Sequence, residues 1–229
     1  HLLHVLRRNV NLTILLFNNK IYGLTKGQYS PTSELGKVNK STPFGSADRP
    51  VSPCEFALGA GATFVARTVD RNVAHIEEML KRAAHHNGTG FVEILQNCNV
   101  YNDLAWNVLY DRESKIMHEL RLEHGKPLVF GPVDDRHGLV LEGAKPRVVR
   151  VTDVPESLLW VHDETDPWKT NVLAQLANPD FPIPVGVLGD VEAPVYEAIM
   201  LEQEQKLIAD RGPGDLGKLL VSGDTWRIG

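Results

Sequence analysis

Apolar and polar residues alternate along this chain with two periods, and the switches between them mark out helices and strands. The opening HLLHVLRR sets its leucines and valine at helical spacing. Leu12 to Phe17 (LTILLF) is a short apolar run ending in Asn18-Asn19, and it reads as a buried parallel strand following a helix. Residues 22 to 53 show little periodicity and many Gly, Pro, Ser, Thr and Lys; so long a loop in a compact domain is usually functional or disordered. Glu55 to Ala60 then reads as a helix after Pro53, and Thr63 to Thr68 (TFVART) as a strand. Val73, Ile76, Leu80 and Ala83 fall at helical spacing, with Asp70 as N-cap. Gly88 and Gly90 stop that helix, and Phe91 to Leu95 (FVEIL) is a further strand. Strands alternating with helices predict an α/β fold: a mostly parallel sheet with helices on both faces.

Beyond about Gly125 the rhythm changes. Leu139 to Leu141 and Arg147 to Val151 read as a β-hairpin turned by Gly143 to Pro146. Residues 153 to 190 read as loop with short helical pieces, and Glu192 to Asp210 as an amphipathic helix before a Gly/Pro-containing tail. The chain thus divides into residues 1–125 and a C-terminal extension, residues 126–229, with a β-hairpin and helices. The opening lacks both Met and a secretory pattern, and it looks like a helix already under way, so a piece of a longer protein is expected.

Composition narrows the function classes. A chain of 229 residues suits one large α/β domain, or one with an appendage. A net charge of −5 gives no support to nucleic-acid or membrane binding. No apolar run approaches the roughly 20 residues that span a bilayer. Two cysteines make no disulfide framework, which favours a reducing cytoplasm.

In open α/β sheets ligands bind where strands end, and Phe17-Asn18-Asn19-Lys20-Ile21-Tyr22-Gly23 sits at such an end. An Asn amide oxygen two residues before a free backbone carbonyl can offer two hard oxygen ligands to Mg²⁺. Diphosphate oxygens, a carboxylate and a water would complete an octahedron. By itself, an Asn pair after a strand is usually just a turn. Lys26, in Leu24-Thr25-Lys26-Gly27-Gln28, is either a solvated lysine or a cation placed to attract a substrate carboxylate; Gln28, Ser30 and Thr32 are weaker polar candidates nearby. Cys98 follows a predicted strand, and a lone Cys is more often a small hydrophobe than a ligand; an iron–sulfur cluster needs about four thiolates. His85-His86 suits a helix C-terminus at the surface. His162, Asp163, Glu164 and Asp166 read as a solvated loop, and Asp134-Asp135-Arg136-His137 as the approach to the hairpin. No Gly-x-Ser-x-Gly, P-loop or dinucleotide glycine pattern occurs.

LLFNNKIYGLTKGQYSPTS closely resembles the stretch that closes the thiamine-diphosphate motif in β subunits of 2-oxoacid:ferredoxin oxidoreductases. The likeness is strongest over residues 11 to 32 and 54 to 103. It implies the thiamine-diphosphate-binding fold, with residues 1–125 as the C-terminal part of that domain and 126–229 as an extension making subunit contacts. In the family the motif begins with Gly-Asp-Gly, further upstream than the 17 residues preceding Asn18 here. The resemblance implies that the Asn19 side chain and the Ile21 carbonyl ligate Mg²⁺, and that Gly23, Leu24 and Thr25 lie against the cofactor. Leu24 would hold it in its bent shape, and Lys26 would bind the substrate carboxylate. Cys98, in a segment like the family's LQxCxxYND, is then the fourth ligand of a [4Fe–4S] cluster whose other three cysteines lie upstream; Cys54 has no such counterpart. PCEFALGAGATFVART at 53 to 68 is similar to two-subunit bacterial enzymes that use 2-oxoglutarate.

The implied reaction is oxidative decarboxylation of 2-oxoglutarate to succinyl-CoA and CO2. Coenzyme A is the co-substrate, and electrons pass through the cluster to ferredoxin. An α subunit would complete the site, in an α/β heterodimer or α2β2 heterotetramer. Three other readings stay open: a pyruvate or broad-specificity enzyme, a non-redox thiamine-diphosphate decarboxylase, and a non-catalytic subunit.

Overall fold

The computed structural model describes residues 1–224 and 226. Its helices and strands run α1 (Leu2–Arg8), β1 (Leu12–Asn18), α2 (Pro53–Gly59), β2 (Phe64–Val69), α3 (Val73–His85) and β3 (Thr89–Leu95). There follow α4 (Asn107–Tyr110), α5 (Arg112–His118), β4 (Glu119–Arg121), β5 (Val129–Phe130), β6 (His137–Glu142) and β7 (Lys145–Arg150). The chain closes with α6 (Pro167–Ala174), β8 (Ile183–Asp190), α7 (Tyr196–Arg211) and α8 (Leu216–Leu220).

Five strands form the main sheet in the order β1-β3-β2-β8-β4, and β5-β6-β7 form a small second sheet. Strands β1, β3 and β2 are parallel, β8 runs antiparallel to β2, and β4 is parallel to β8. This is the mostly parallel α/β sheet that the alternation of elements implies. Side chains leave the strands on alternate faces. Phe64 and Ala66 of β2, with Val92 and Ile94 of β3, pack on Met79 and Ala83 of α3. Val65 and Phe91 point the other way, into a larger core with Cys54, Ala57 and Leu173 from α2 and α6. Both faces are therefore covered, and β2 and β3 are buried along their whole length.

Local chemistry explains the element ends. Pro53 occupies the first turn of α2, where a missing N–H costs nothing. Helix α3 is capped by Asn72, whose side chain accepts from His75 N at 3.3 Å. Asp70, the cap expected from sequence, instead accepts a 2.7 Å hydrogen bond from the Tyr110 hydroxyl.

The stretch from 153 to 190, expected to be loop with short helical pieces, also holds a strand. Its last part, Ile183–Asp190, is a buried strand wedged between β2 and β4. The residues around it are correspondingly less solvated than expected. His162 is buried and its Nε2 lies 2.8 Å from the Val187 carbonyl. Glu164 is buried and receives both Nη atoms of Arg82, at 2.9 and 2.7 Å. The His86 side chain is 5% exposed and contacts Asp190 Oδ1 at 3.0 Å. These groups seam α3 to β8. The expected C-terminal amphipathic helix begins only at Tyr196, and α7 buries none of its residues. At the opposite edge, among the described residues, β1 pairs with β3 alone and leaves Leu12, Leu15 and Phe17 exposed. Among the described residues, no helix is long and apolar enough to cross a membrane.

Candidate cofactor site

Strand β1 delivers Asn18 and Asn19 to the carboxyl edge of the sheet, and the two amides do different work. Asn18 is buried and fully engaged. Its Nδ2 donates to Glu93 Oε1 at 2.7 Å, and its Oδ1 accepts from Lys20 N at 3.1 Å and Thr32 Oγ1 at 2.8 Å. Its carbonyl accepts from Gln96 N at 3.0 Å and from the Trp106 indole at 2.9 Å. The turn that follows is tight enough to put Lys20 at φ 55. Lys20 Nζ is held by Glu34 at 2.8 Å and lies 3.9 Å from the centre of the Trp106 ring. Asn19 is freer. Its Oδ1 accepts from Ile21 N at 3.2 Å, which orients the amide and leaves a lone pair. The Ile21 carbonyl accepts none of the hydrogen bonds among the described residues, although the residue is buried. One amide oxygen and one unpaired carbonyl are thus fixed two residues apart.

The next residues fold into a closed loop. Tyr22 N donates to the Gln28 carbonyl at 2.8 Å, Gly27 N to the Tyr22 carbonyl at 3.0 Å and Lys26 N to the Gly23 carbonyl at 3.0 Å. Lys26 and Gly27 both adopt positive φ, 68° and 98°. A Cβ on Gly27 would sit 3.0 Å from the Tyr101 ring, so glycine is required there twice over. The loop displays its side chains outward: Leu24 is 99% exposed, and Thr25 and Lys26 are exposed with it. Lys26 takes part in none of the ion pairs among the described residues.

Cys98 lies half-buried in the turn after β3, where Asn102 N donates to its carbonyl at 3.0 Å. The buried Asn102 side chain reaches across to the Asn19 carbonyl at 3.0 Å and the Lys20 carbonyl at 3.4 Å, and it accepts from Lys37 Nζ. The structure therefore brings Asn19, Ile21, the 23–26 loop and Cys98 to one edge of the sheet. Cys54 is elsewhere, fully buried, with its Sγ 3.2 Å from Glu93 Oε2.

Sequence reasoning missed what lies beneath the turn. Glu93 and Arg67 form a buried ion pair at 2.8 Å, and Glu93 also holds Asn18 and Cys54. Burial alone would raise the Glu93 carboxyl, but the Arg67 guanidinium and the Asn18 amide outweigh it and hold it below its ordinary value. Burial pushes the Cys54 thiol well up, against the pull of Arg67. Arg67, Glu93, Asn18, Lys20 and Trp106 line a cavity of about 240 Å³. The only signal in the sequence was the presence of Arg and Glu inside otherwise apolar strands.

The donor set fits part of a Mg²⁺ shell. Two neutral oxygens suit a hard cation, and the remaining ligands would be diphosphate oxygens and a carboxylate from outside these residues. Among the described residues, no group of three or more His, Cys, Asp or Glu side chains could hold a metal unaided. Likewise a single half-exposed thiol can contribute only one ligand to a cluster.

Residues 1–94 match the family model for the thiamine pyrophosphate enzyme C-terminal TPP binding domain. The whole chain is 42% identical to the 2-oxoglutarate oxidoreductase subunit KorB of Mycobacterium tuberculosis and covers 62% of that protein. Over 112 residues, 49% of this chain and 37% of the relative, it is 42% identical to the 2-oxoacid:ferredoxin oxidoreductase subunit beta of Saccharolobus solfataricus. Among solved structures, it superposes with a TM-score of 0.70 and 26% identity on the 2-oxoglutarate:ferredoxin oxidoreductase from Magnetococcus marinus, which holds 2-oxoglutarate, coenzyme A and succinyl-CoA. That match covers 98% of this chain and 62% of the other. The chain thus spans less than two thirds of each of these proteins.

Proposed function

We propose that this chain, similar to β subunits of 2-oxoacid:ferredoxin oxidoreductases, is one of them and helps convert 2-oxoglutarate and coenzyme A to succinyl-CoA and CO2. A [4Fe–4S] cluster, when bound, would carry the two electrons of this oxidation singly to ferredoxin. Bound thiamine diphosphate would supply the electron sink that lets CO2 depart. This chain's part is to bind and orient. Asn19 Oδ1 and the Ile21 carbonyl anchor Mg²⁺ on the diphosphate, with Gly23, Leu24 and Thr25 against the cofactor. Lys26 offers an unpaired ammonium to the substrate carboxylate, and Cys98 gives one thiolate to the cluster. The α subunit supplies the rest of the pocket, in a heterodimer or a heterotetramer of two such pairs, in the cytoplasm.

One observation carries the reading: the Asn19 amide oxygen and the unpaired Ile21 carbonyl stand together at the carboxyl end of β1. The name and contents of the Magnetococcus enzyme favour 2-oxoglutarate over pyruvate. Calorimetry of the full-length assembly should show thiamine diphosphate binding that requires Mg²⁺, and iron and sulfide analysis should return a cluster. With a viologen acceptor, 2-oxoglutarate should be turned over faster than pyruvate. Absence of cofactor binding would end this reading, an active enzyme free of iron would make it a simple decarboxylase, and faster pyruvate oxidation would reassign the substrate.

A further inference from the structure

Asn102 stands outside every role assigned above, yet it touches both halves of the proposed machinery. Its backbone N–H closes the turn that carries Cys98. Its side-chain amide donates to the carbonyls of Asn19 and Lys20, the two residues leading into Ile21, at 3.0 and 3.4 Å. Its amide oxygen is fixed by the Lys37 ammonium, so the amide cannot turn over and withdraw those donors. The residue is 4% exposed, in a neighbourhood that is otherwise open: Cys98 is half-buried and Val100 largely exposed. One residue earlier, Tyr101 lies against Gly27, next to Lys26. The turn carrying the thiol is therefore latched to the metal turn through Asn102 and abuts the substrate loop through Tyr101.

We infer that Asn102 is a positioning residue that locks the Cys98 turn to the Asn19–Ile21 turn, so that cluster and diphosphate metal are held at one separation. This rests on the proposed function. A side chain giving two hydrogen bonds to carbonyls just ahead of a metal-binding carbonyl fixes where that carbonyl points. The same residue, four positions from Cys98, closes the backbone turn that carries the thiol. Residues acting through others in this way hold a site to fractions of an ångström.

The test uses the full-length assembly with its partner subunit. Asn102→Asp is nearly isosteric and keeps the contact with Lys37, but it offers carbonyls no donor. It should bind thiamine diphosphate with Mg²⁺ about tenfold more weakly by calorimetry, the effect of losing hydrogen bonds while facing a carboxylate to carbonyl oxygens. The electron paramagnetic resonance spectrum of its reduced cluster should change shape while iron per subunit stays constant. Asn102→Ser, which lacks both the reach and the charge, should weaken the cofactor in the same direction, and it decides the matter if the Asp variant does not assemble. A merely structural role would lower the melting temperature without moving cofactor affinity or spectrum, and that result overturns the inference, as does wild-type behaviour in either assembled variant. Wild-type protein that binds neither cofactor nor iron would bring down the proposed function and this inference together.

Discussion

At the scale of single residues, two neighbouring asparagines have been given opposite tasks by their surroundings. Asn18 engages its amide with Glu93, Lys20 and Thr32, whereas Asn19 keeps a lone pair and, among the described residues, the Ile21 carbonyl stays unpaired. Nothing in the dipeptide distinguishes the two; only the resemblance of the wider motif gives Asn19 a role of its own. The buried ion pair below was illegible for another reason. Its members stand 26 residues apart, and Asn18 and Glu93 stand 75 apart. Glu93→Gln would leave the Arg67 guanidinium buried without its counter-charge. The expected loss is about 3–5 kcal/mol of folding stability, measured by denaturant unfolding of the full-length protein. A loss below about 1 kcal/mol would mean that the pair is idle. Lys26→Ala removes an exposed cation that is in none of the ion pairs among the described residues, so it should leave stability alone. It should raise KM for 2-oxoglutarate by about ten- to a hundredfold while kcat changes little, as for loss of a uniform contact to a charged group. Unchanged KM would return Lys26 to the solvated surface.

At the scale of elements, the early strands and α3 are legible to within a residue or two, because each is a short apolar run or a helical stripe. Strand β8 escaped. Its neighbourhood, Phe181-Pro182-Ile183-Pro184-Val185-Gly186, is full of residues that ordinarily mark turns. The sheet tolerates them for visible reasons. The Pro184 carbonyl accepts from the Arg67 guanidinium at 3.4 Å. Gly186 has φ 138° and lets the Leu122 backbone come so close that a Cβ would meet Leu122 O at 2.9 Å. Tertiary packing, invisible to a local pattern, overrode the turn signal. Gly186→Ala should therefore cost about 1–3 kcal/mol through overpacking and backbone strain. In a protein of this size each kcal/mol lowers the melting temperature by roughly 2–4 °C. An unshifted melting curve would show that the β8–Leu122 junction yields freely.

For the molecule as a whole, buried histidines set the response to acid. His75 is packed against β2 with its Nδ1 2.8 Å from Thr68 Oγ1. Burial first, then the charges of Arg121 and Lys115, lower its pKa to about 4. His162 is shifted in the same direction, by burial. Between pH 6.5 and about 4 the unfolded chain binds a proton at His75 that the folded chain refuses, so stability falls as pH drops through that window. Glu93, held below its ordinary value, adds a loss at still lower pH. Urea midpoints taken at about pH 7.5 and pH 5 should fall with acidity, and His75→Gln should flatten the slope. A midpoint that rises on acidification contradicts this account.

The uncovered margin of β1 has a practical consequence. Among the described residues no strand pairs with its outer side, which is flanked by Leu12, Leu15 and Phe17. Such a margin recruits whatever strand comes by, including the same strand of another molecule. Produced by itself, this stretch of chain should cluster in solution as its concentration rises, and light scattering will register it. Leu15→Lys should disperse those clusters, at the cost of whatever normally lies across that flank.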